Sequence, residues 1–458
     1  MLEIPGILDL KRQVSRRTFL HCCGYGSVAS LLNQSRLTAS PSPPLRPIRS
    51  CIMVMLYGGP SHLDTWDIKP HAPVEIRGEY QPISTSVPGR IVCEHLPRLA
   101  NLVDRVAVVR SMHHGMSNHN SAMYQALVGR RPKVDLDVLG ADRASDFPSV
   151  GSVLGYMASS GGLPRSSTPL ANVALPHVMH NVVYLPGQNA GFLGGQHDPF
   201  QISSDPNLPG FQVPNLSLPP DVSQQRMSER LALLRSLPTN AALSGEDSMQ
   251  TYHQQALSLL ESDAIQRAFR IDREPAQVRD RYGRNTFGQS LLLARKLVEA
   301  DVRFIRVNDK IYNGQDTNWD SHLNIFPRHR DLLEPFDQGF SALIEDLDGR
   351  GLLSSTLVVC MGEFGRTPRV NASGGRDHWP DCYSVVVSGG GTAPGSTYGE
   401  SDRYGAHPIA DAVTPADLAA TIFWRFGVDW RHEIHDQQGR PWQLAEGTPI
   451  KRLFPGAV

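Results

Sequence analysis

The chain has 458 residues, 40% hydrophobic and 19% charged, which allows one large core or two modest ones and excludes wholesale disorder. Its formal net charge of -1 comes with no long basic or acidic block, so nucleic acid is not an expected partner. No run approaches the about 18 unbroken apolar residues of a membrane helix, so the mature chain is expected to have no stable membrane span.

Taken in chain order, Ser15-Arg16-Arg17-Thr18-Phe19-Leu20 is a twin-arginine pattern, and a weakly apolar segment from Cys22 to Leu32 follows it. Residues 1–40 read as an export signal for the twin-arginine machinery, which implies a periplasmic or extracellular location. A Pro-rich linker occupies 41–50, and 51–458 read as a single domain. Its first expected strand is Cys51 to Tyr57, ending at Gly58-Gly59-Pro60. A second strand, Arg105 to Arg110, precedes a His-rich loop and a helix from Ser121 to Val128. The stretch from about 160 to 220 is rich in Pro, Gly and Asn and reads as an irregular insertion over the sheet or a set of short elements. Helical periodicity returns from Val222 to Phe269 and from Gln277 to Glu299, before a strand at Asp301 to Val307. A helix from Arg330 to Asp348 feeds the strand Thr356 to Met361, and a strand at Tyr383 to Val387 and a helix at Pro415 to Arg425 complete the series. The alternation predicts an α/β fold: a doubly wound, mostly parallel sheet flanked by helices.

Such sheets keep their sites at the C-terminal ends of the strands. Four His and carboxylate clusters follow expected strand ends: Ser61-His62-Leu63-Asp64, His113-His114 with His119, Trp319-Asp320-Ser321-His322, and Glu363 with Asp377-His378. Imidazole and carboxylate converging from different elements are the donors a divalent metal requires, which makes His62, Asp64, Asp320, His322, Glu363, Asp377 and His378 candidate ligands. Taken singly, each could be a loop histidine or acid satisfied by its neighbours. Arg366 and Arg376 are placed to hold a tetrahedral oxyanion, or else to pair with Glu363 or Asp377 and fix the loop. Cys51, Cys93, Cys360 and Cys382 lack CxxC spacing and indicate neither a thiolate zinc site nor a disulfide framework. Gly389-Gly390-Gly391 lacks the context of a nucleotide cradle.

Over nearly its whole length the sequence resembles the DUF1501 family of exported bacterial proteins, whose members look like distant relatives of the sulfatase and alkaline phosphatase superfamily. The segments that carry the resemblance are Gly58 to Asp67, Arg279-Asp280-Arg281-Tyr282-Gly283-Arg284, Trp319-Asp320-Ser321-His322, Gly362 to Pro368 and Gly375 to Pro380. It implies an alkaline-phosphatase-like fold and a metal-dependent hydrolase or transferase for phosphate or sulfate esters, with an ester or glycan small molecule as substrate. In that superfamily a nucleophile opens a helix that closes on a turn like Ala126-Leu127-Val128-Gly129-Arg130. Counting back from that turn lands on His119, flanked by Ser117 and Ser121, so the resemblance offers a hydroxyl nucleophile or a histidine that is transiently phosphorylated, acts as general acid or binds metal, unless Ser121 merely caps the helix. Asp320 and His322 resemble one ligand pair. Glu363-Phe364 stands where an Asp-His pair is usual, and His62 or Asp64 would have to replace a ligand expected at the first strand. The metal implied is zinc, calcium, manganese or iron. No sulfatase Cys-x-Pro-x-Arg motif is present. The alternative is an exported binding or scaffolding protein that keeps the fold without the chemistry.

Overall fold

The first strand of the domain, β1 (Ser50–Met55), is an unbroken apolar run because both of its faces are covered. Ile52 and Val54 point into one hydrophobic cluster, while Cys51, Met53 and Met55 point into the other. The computed structural model describes residues 45–456 apart from 133–141, 182, 214–215, 217–223, 237–256, 310, 313–314 and 317. The expected export segment, the linker as far as residue 44 and part of the helical stretch expected from Val222 lie outside the described residues.

The other strands of the central sheet are β2 (Val106–Met112), β3 (Asn172–Leu175), β4 (Phe200–Gln201), β5 (Phe304–Asn308), β6 (Thr356–Met361), β7 (Tyr383–Gly389) and β8 (Thr397–Tyr398). Their order is β8-β2-β7-β6-β1-β5-β3-β4 in an eight-stranded sheet. β7 runs antiparallel to β6 and β2, and every other pairing is parallel. The reversal has a local cause: no helix lies between β6 and β7 to carry the chain back across the sheet, so it returns in the opposite direction. Register then fixes the functional edge. Met55 lies opposite Met361 and Asn308, so the segments leaving β1, β5 and β6 emerge together at the C-terminal edge.

Helices α1 (His119–Val128), α2 (Val150–Ser159) and α5 (Pro415–Arg425) pack on one face, and α3 (Thr286–Glu299) and α4 (Ile325–Gly349) on the other. Leu291, Leu292 and Leu293 of α3 are fully buried, each worth about 1.5–3 kcal/mol relative to exposure. The Pro- and Gly-rich region between 160 and 220 holds β3 and β4, so it extends the sheet as a set of short elements. The single helix expected from Gln277 to Glu299 is two, Ala276–Tyr282 and α3. Gly283, at φ 93°, ends the first, and the Asn285 side chain caps the second by accepting from Gly288 N. α1 starts two residues before the expected Ser121, because Asn118 is its cap and accepts from Ser121 N. Among the described residues, no helix is long and apolar enough to cross a membrane.

Candidate metal-binding site

Beyond β1 the chain turns through Gly58, at φ 101°. A Cβ there would sit 2.5 Å from Asp320 N, so only glycine lets the 319–320 backbone lie against this turn. Trp319 N donates to Tyr57 O at 3.2 Å, which brings Asp320 over the end of β1. Beyond β6 the loop doubles back, and Arg366 pairs with His378 in a short antiparallel ribbon that delivers the His378 ring. Gly375 allows the same loop to lie on the His322 backbone, whose carbonyl carbon is 2.1 Å from where a Cβ would be. The Asn371 side chain fixes that approach by donating to His322 O at 2.9 Å.

Asp320 is the centre of the resulting cluster. Its Oδ1 lies 3.1 Å from His322 Nε2 and 3.3 Å from His378 Nε2, and its Oδ2 lies 3.2 Å from His119 Nε2. His322 Nε2 and His378 Nε2 are 3.0 Å apart. The ligand-capable atoms of His119, Asp320 and His378 all fall within 4.8 Å of one another. Burial would raise the Asp320 pKa, but contacts from His119, His378 and Arg366 hold it far below the usual carboxylate range.

Two of the imidazoles have a proton placed on Nδ1 by an acceptor. His378 Nδ1 donates to Ser117 O at 2.7 Å, and His322 Nδ1 donates to Asp377 Oδ1 at 2.8 Å. In their neutral forms both rings then present an Nε2 lone pair, with a carbonyl and a carboxylate behind them as in the outer shell of metal sites. Asp377 stands behind His322 as its orienter, and its pKa is lowered by that hydrogen bond. His119 Nδ1 contacts Glu363 Oε1 at 2.6 Å. Burial would lower the His119 pKa, but the two carboxylates raise it to about 9. Its Nε2 is at ion-pair distance from Asp320 yet lacks hydrogen-bond alignment.

The remaining expected residues play other parts. Glu363 is fully buried and turns its carboxylate to Gly58 N, at 2.9 and 3.1 Å, and to His119. It thus orients His119 from behind. Asp64 is fully buried in a bidentate pair with Arg376, at 2.8 and 3.1 Å. His62 is also buried, with Nε2 donating to Gly405 O at 2.7 Å, and it does not join the Asp320 cluster. Neither arginine is an open oxyanion fork. Arg376 spends its other donors on the carbonyls of Thr367, Pro368 and Ile76. Arg366 donates to the carbonyls of Gly58, Gly59 and Arg376 and to Asp320 Oδ1 at 2.7 Å. Both guanidiniums brace the loop, with Asp320 and Asp64 as partners in place of the expected Glu363 and Asp377. Ser121 is fully buried on α1, whereas Ser117 is exposed at the cluster's rim.

Two further residues that shape the site, Asn118 and Asn371, carry little sequence signal. Asn118 carries the ordinary N-cap signal one residue before His119, while Asn371 has no local pattern that marks it.

No curated protein matches the chain in sequence. Among solved structures, it is similar to the PsFucS1 sulfatase from Pseudoalteromonas sp. at 13% identity and TM-score 0.39, over 88% of this chain and 71% of that one. It is similar to the phosphonate monoester hydrolase SpPMH from Silicibacter pomeroyi at 11% identity and TM-score 0.37, over 90% and 77%. A protein in the alkaline phosphatase superfamily from Vibrio parahaemolyticus gives 10% identity and TM-score 0.38, over 88% and 76%. The family model described as protein of unknown function (DUF1501) matches residues 48–454, and the chain belongs to that family.

Proposed function

We propose that the protein is an exported, metal-dependent hydrolase or transferase acting on phosphate or sulfate esters of small molecules, glycans among them. The observation that carries this reading is the triangle of Asp320 Oδ1, His322 Nε2 and His378 Nε2, with edges of 3.1, 3.0 and 3.3 Å. With bonds of about 2.0–2.1 Å, neighbouring ligand atoms of a tetrahedral ion are about 3.3 Å apart, so the triangle fits one ion held by three side chains. Two nitrogens and one oxygen suit zinc, manganese or iron, whereas calcium favours about six to eight oxygens. When bound, such an ion supplies Lewis acidity toward an ester oxygen and toward a hydroxyl or water nucleophile.

The chain's own residues account for orientation and proton transfer. Asp377 and Ser117 O hold the His322 and His378 rings with Nε2 inward. His119, oriented by Glu363, delivers a proton from Nε2 to the leaving oxygen as its bond to phosphorus or sulfur breaks. Ser121 is too buried to meet a substrate, so the attacking oxygen belongs to Ser117 or to water.

The test is hydrolysis of aryl phosphate and aryl sulfate esters by the full chain supplied with zinc, manganese or iron. Turnover that is lost on chelation and in His119→Asn supports the reading. Equal rates for metal-loaded wild type and His119→Asn on both ester classes would overturn it. One observation favours the second reading, a non-catalytic exported binding or scaffolding protein: Arg366 and Arg376 are fully engaged, leaving no free guanidinium there for an oxyanion.

A further inference from the structure

A cavity of about 430 Å³ lies at the opposite edge of the sheet, where β3 and β5 begin. Arg303 lines it from the residue before β5, and Arg165 lines it from the segment before β3. Arg303 is 6% exposed. One of its terminal nitrogens donates to Pro164 O, but its Nε is buried with no partner. The nearby acid Asp301 does not fill that need. It accepts from Arg49 at 2.7 Å, from Ser166 Oγ at 3.1 Å and from Ser167 N at 2.9 Å. Burial accordingly lowers the Arg303 pKa, opposed by the charge of Asp301.

A buried guanidinium with an idle donor is costly unless an acceptor completes it. The rest of the wall indicates what accompanies that acceptor. Phe200 and Leu259 contribute apolar surface, and His197, packed edge-on against Tyr156 at 5.4 Å, adds a ring face. Asp198 also lines the cavity, but its Oδ1 accepts from Ala190 N at 2.7 Å. Two arginines against this one carboxylate leave the cavity cationic.

We propose that this cavity binds a small organic oxyanion. Its carboxylate, phosphate or sulfate head meets Arg303 and Arg165, and its apolar body rests on Phe200 and Leu259. Guanidinium forks match such heads with two parallel hydrogen bonds. The site is separate from the Asp320 cluster, because the two lie at opposite ends of the parallel strands, and it does not depend on the function proposed above.

The test is calorimetric titration of the full chain, in buffer free of phosphate and sulfate, with benzoate, phenylphosphonate and benzenesulfonate, none of which is a phosphate or sulfate ester. Saturable binding is expected for at least one probe, weakened about tenfold or more in Arg165→Gln and in Arg303→Gln. Arg165 is exposed, so its variant reports on binding even if Arg303→Gln fails to fold. His322→Ala should leave this binding intact. No saturable binding of any probe, binding unchanged in Arg165→Gln, or binding lost only in His322→Ala would each overturn the proposal.

Discussion

His322 Nε2 and His378 Nε2 face each other at 3.0 Å, although each ring has already committed its Nδ1 proton, to Asp377 and to Ser117 O respectively. Two lone pairs at that distance repel unless a cation lies between or beside them. A shared proton would meet this need in one way and a divalent ion in another. Asp320 Oδ1, at 3.1 and 3.3 Å from the two nitrogens, is the third donor that such an ion would use.

If Asp377 orients His322, Asp377→Ala should weaken metal affinity about 10–100-fold without removing a ligand. Asp377 is largely exposed, so the fold should be unaffected. Metal titration followed by calorimetry, with thermal melting as control, checks both statements.

His119 separates a proton donor from a ligand. As a donor, its replacement in His119→Asn should lower kcat about 10²–10⁴-fold while metal content stays constant. Loss of metal with loss of activity would instead make His119 a ligand of the same ion.

The Asp64–Arg376 pair is fully buried on both sides. Asp64→Ala leaves a buried guanidinium without its carboxylate, and should cost about 3–5 kcal/mol. Denaturant unfolding should show the midpoint falling, with any loss of metal following from loosening of the loop.

Gly58→Ala places a Cβ 2.5 Å from Asp320 N at a φ of 101°. The 319–320 backbone must retreat, so weaker metal binding and a lower Tm are expected together. Normal metal affinity in a folded Gly58→Ala protein would show that the close approach is not what positions Asp320.

Burial pushes the Asp309 carboxyl up to about 7, against a lowering by Trp319 Nε1, which donates to Oδ2 at 3.0 Å. The unfolded carboxyl titrates at about 3.9, so the fold favours the protonated form. This contribution is fully present below about pH 4 and is lost as pH rises to about 7, for a total on the order of 4 kcal/mol. Asp309→Asn, which can still accept from Trp319, should therefore melt well above the parent protein at pH 8, and close to it at pH 4.

The residues at strand ends were legible in the sequence, because apolar runs break there into glycine, acid and histidine. Asp320, His322 and His378 follow such breaks; the shared register of β1, β5 and β6 brings their loops to one edge, and the Gly58 turn and the Arg366–His378 ribbon complete the approach. Roles that depend on direction were not legible. Nothing local shows that Glu363 points back at Gly58 N and His119, or that Asp64 meets Arg376 across 312 residues. The four-residue β3 lies in a Pro- and Gly-rich region, too short for periodicity to mark it. Strand direction has no local signal either. β7 has the apolar look of its parallel neighbours, and only the absence of a helix after β6 reverses it.

The most direct test is the metal content of purified full-length protein, by elemental mass spectrometry, beside that of His378→Ala. The account predicts about one equivalent of zinc, manganese or iron in the parent and none in the variant. A parent protein that stays metal-free after incubation with these ions, or a variant that keeps its metal, would contradict it.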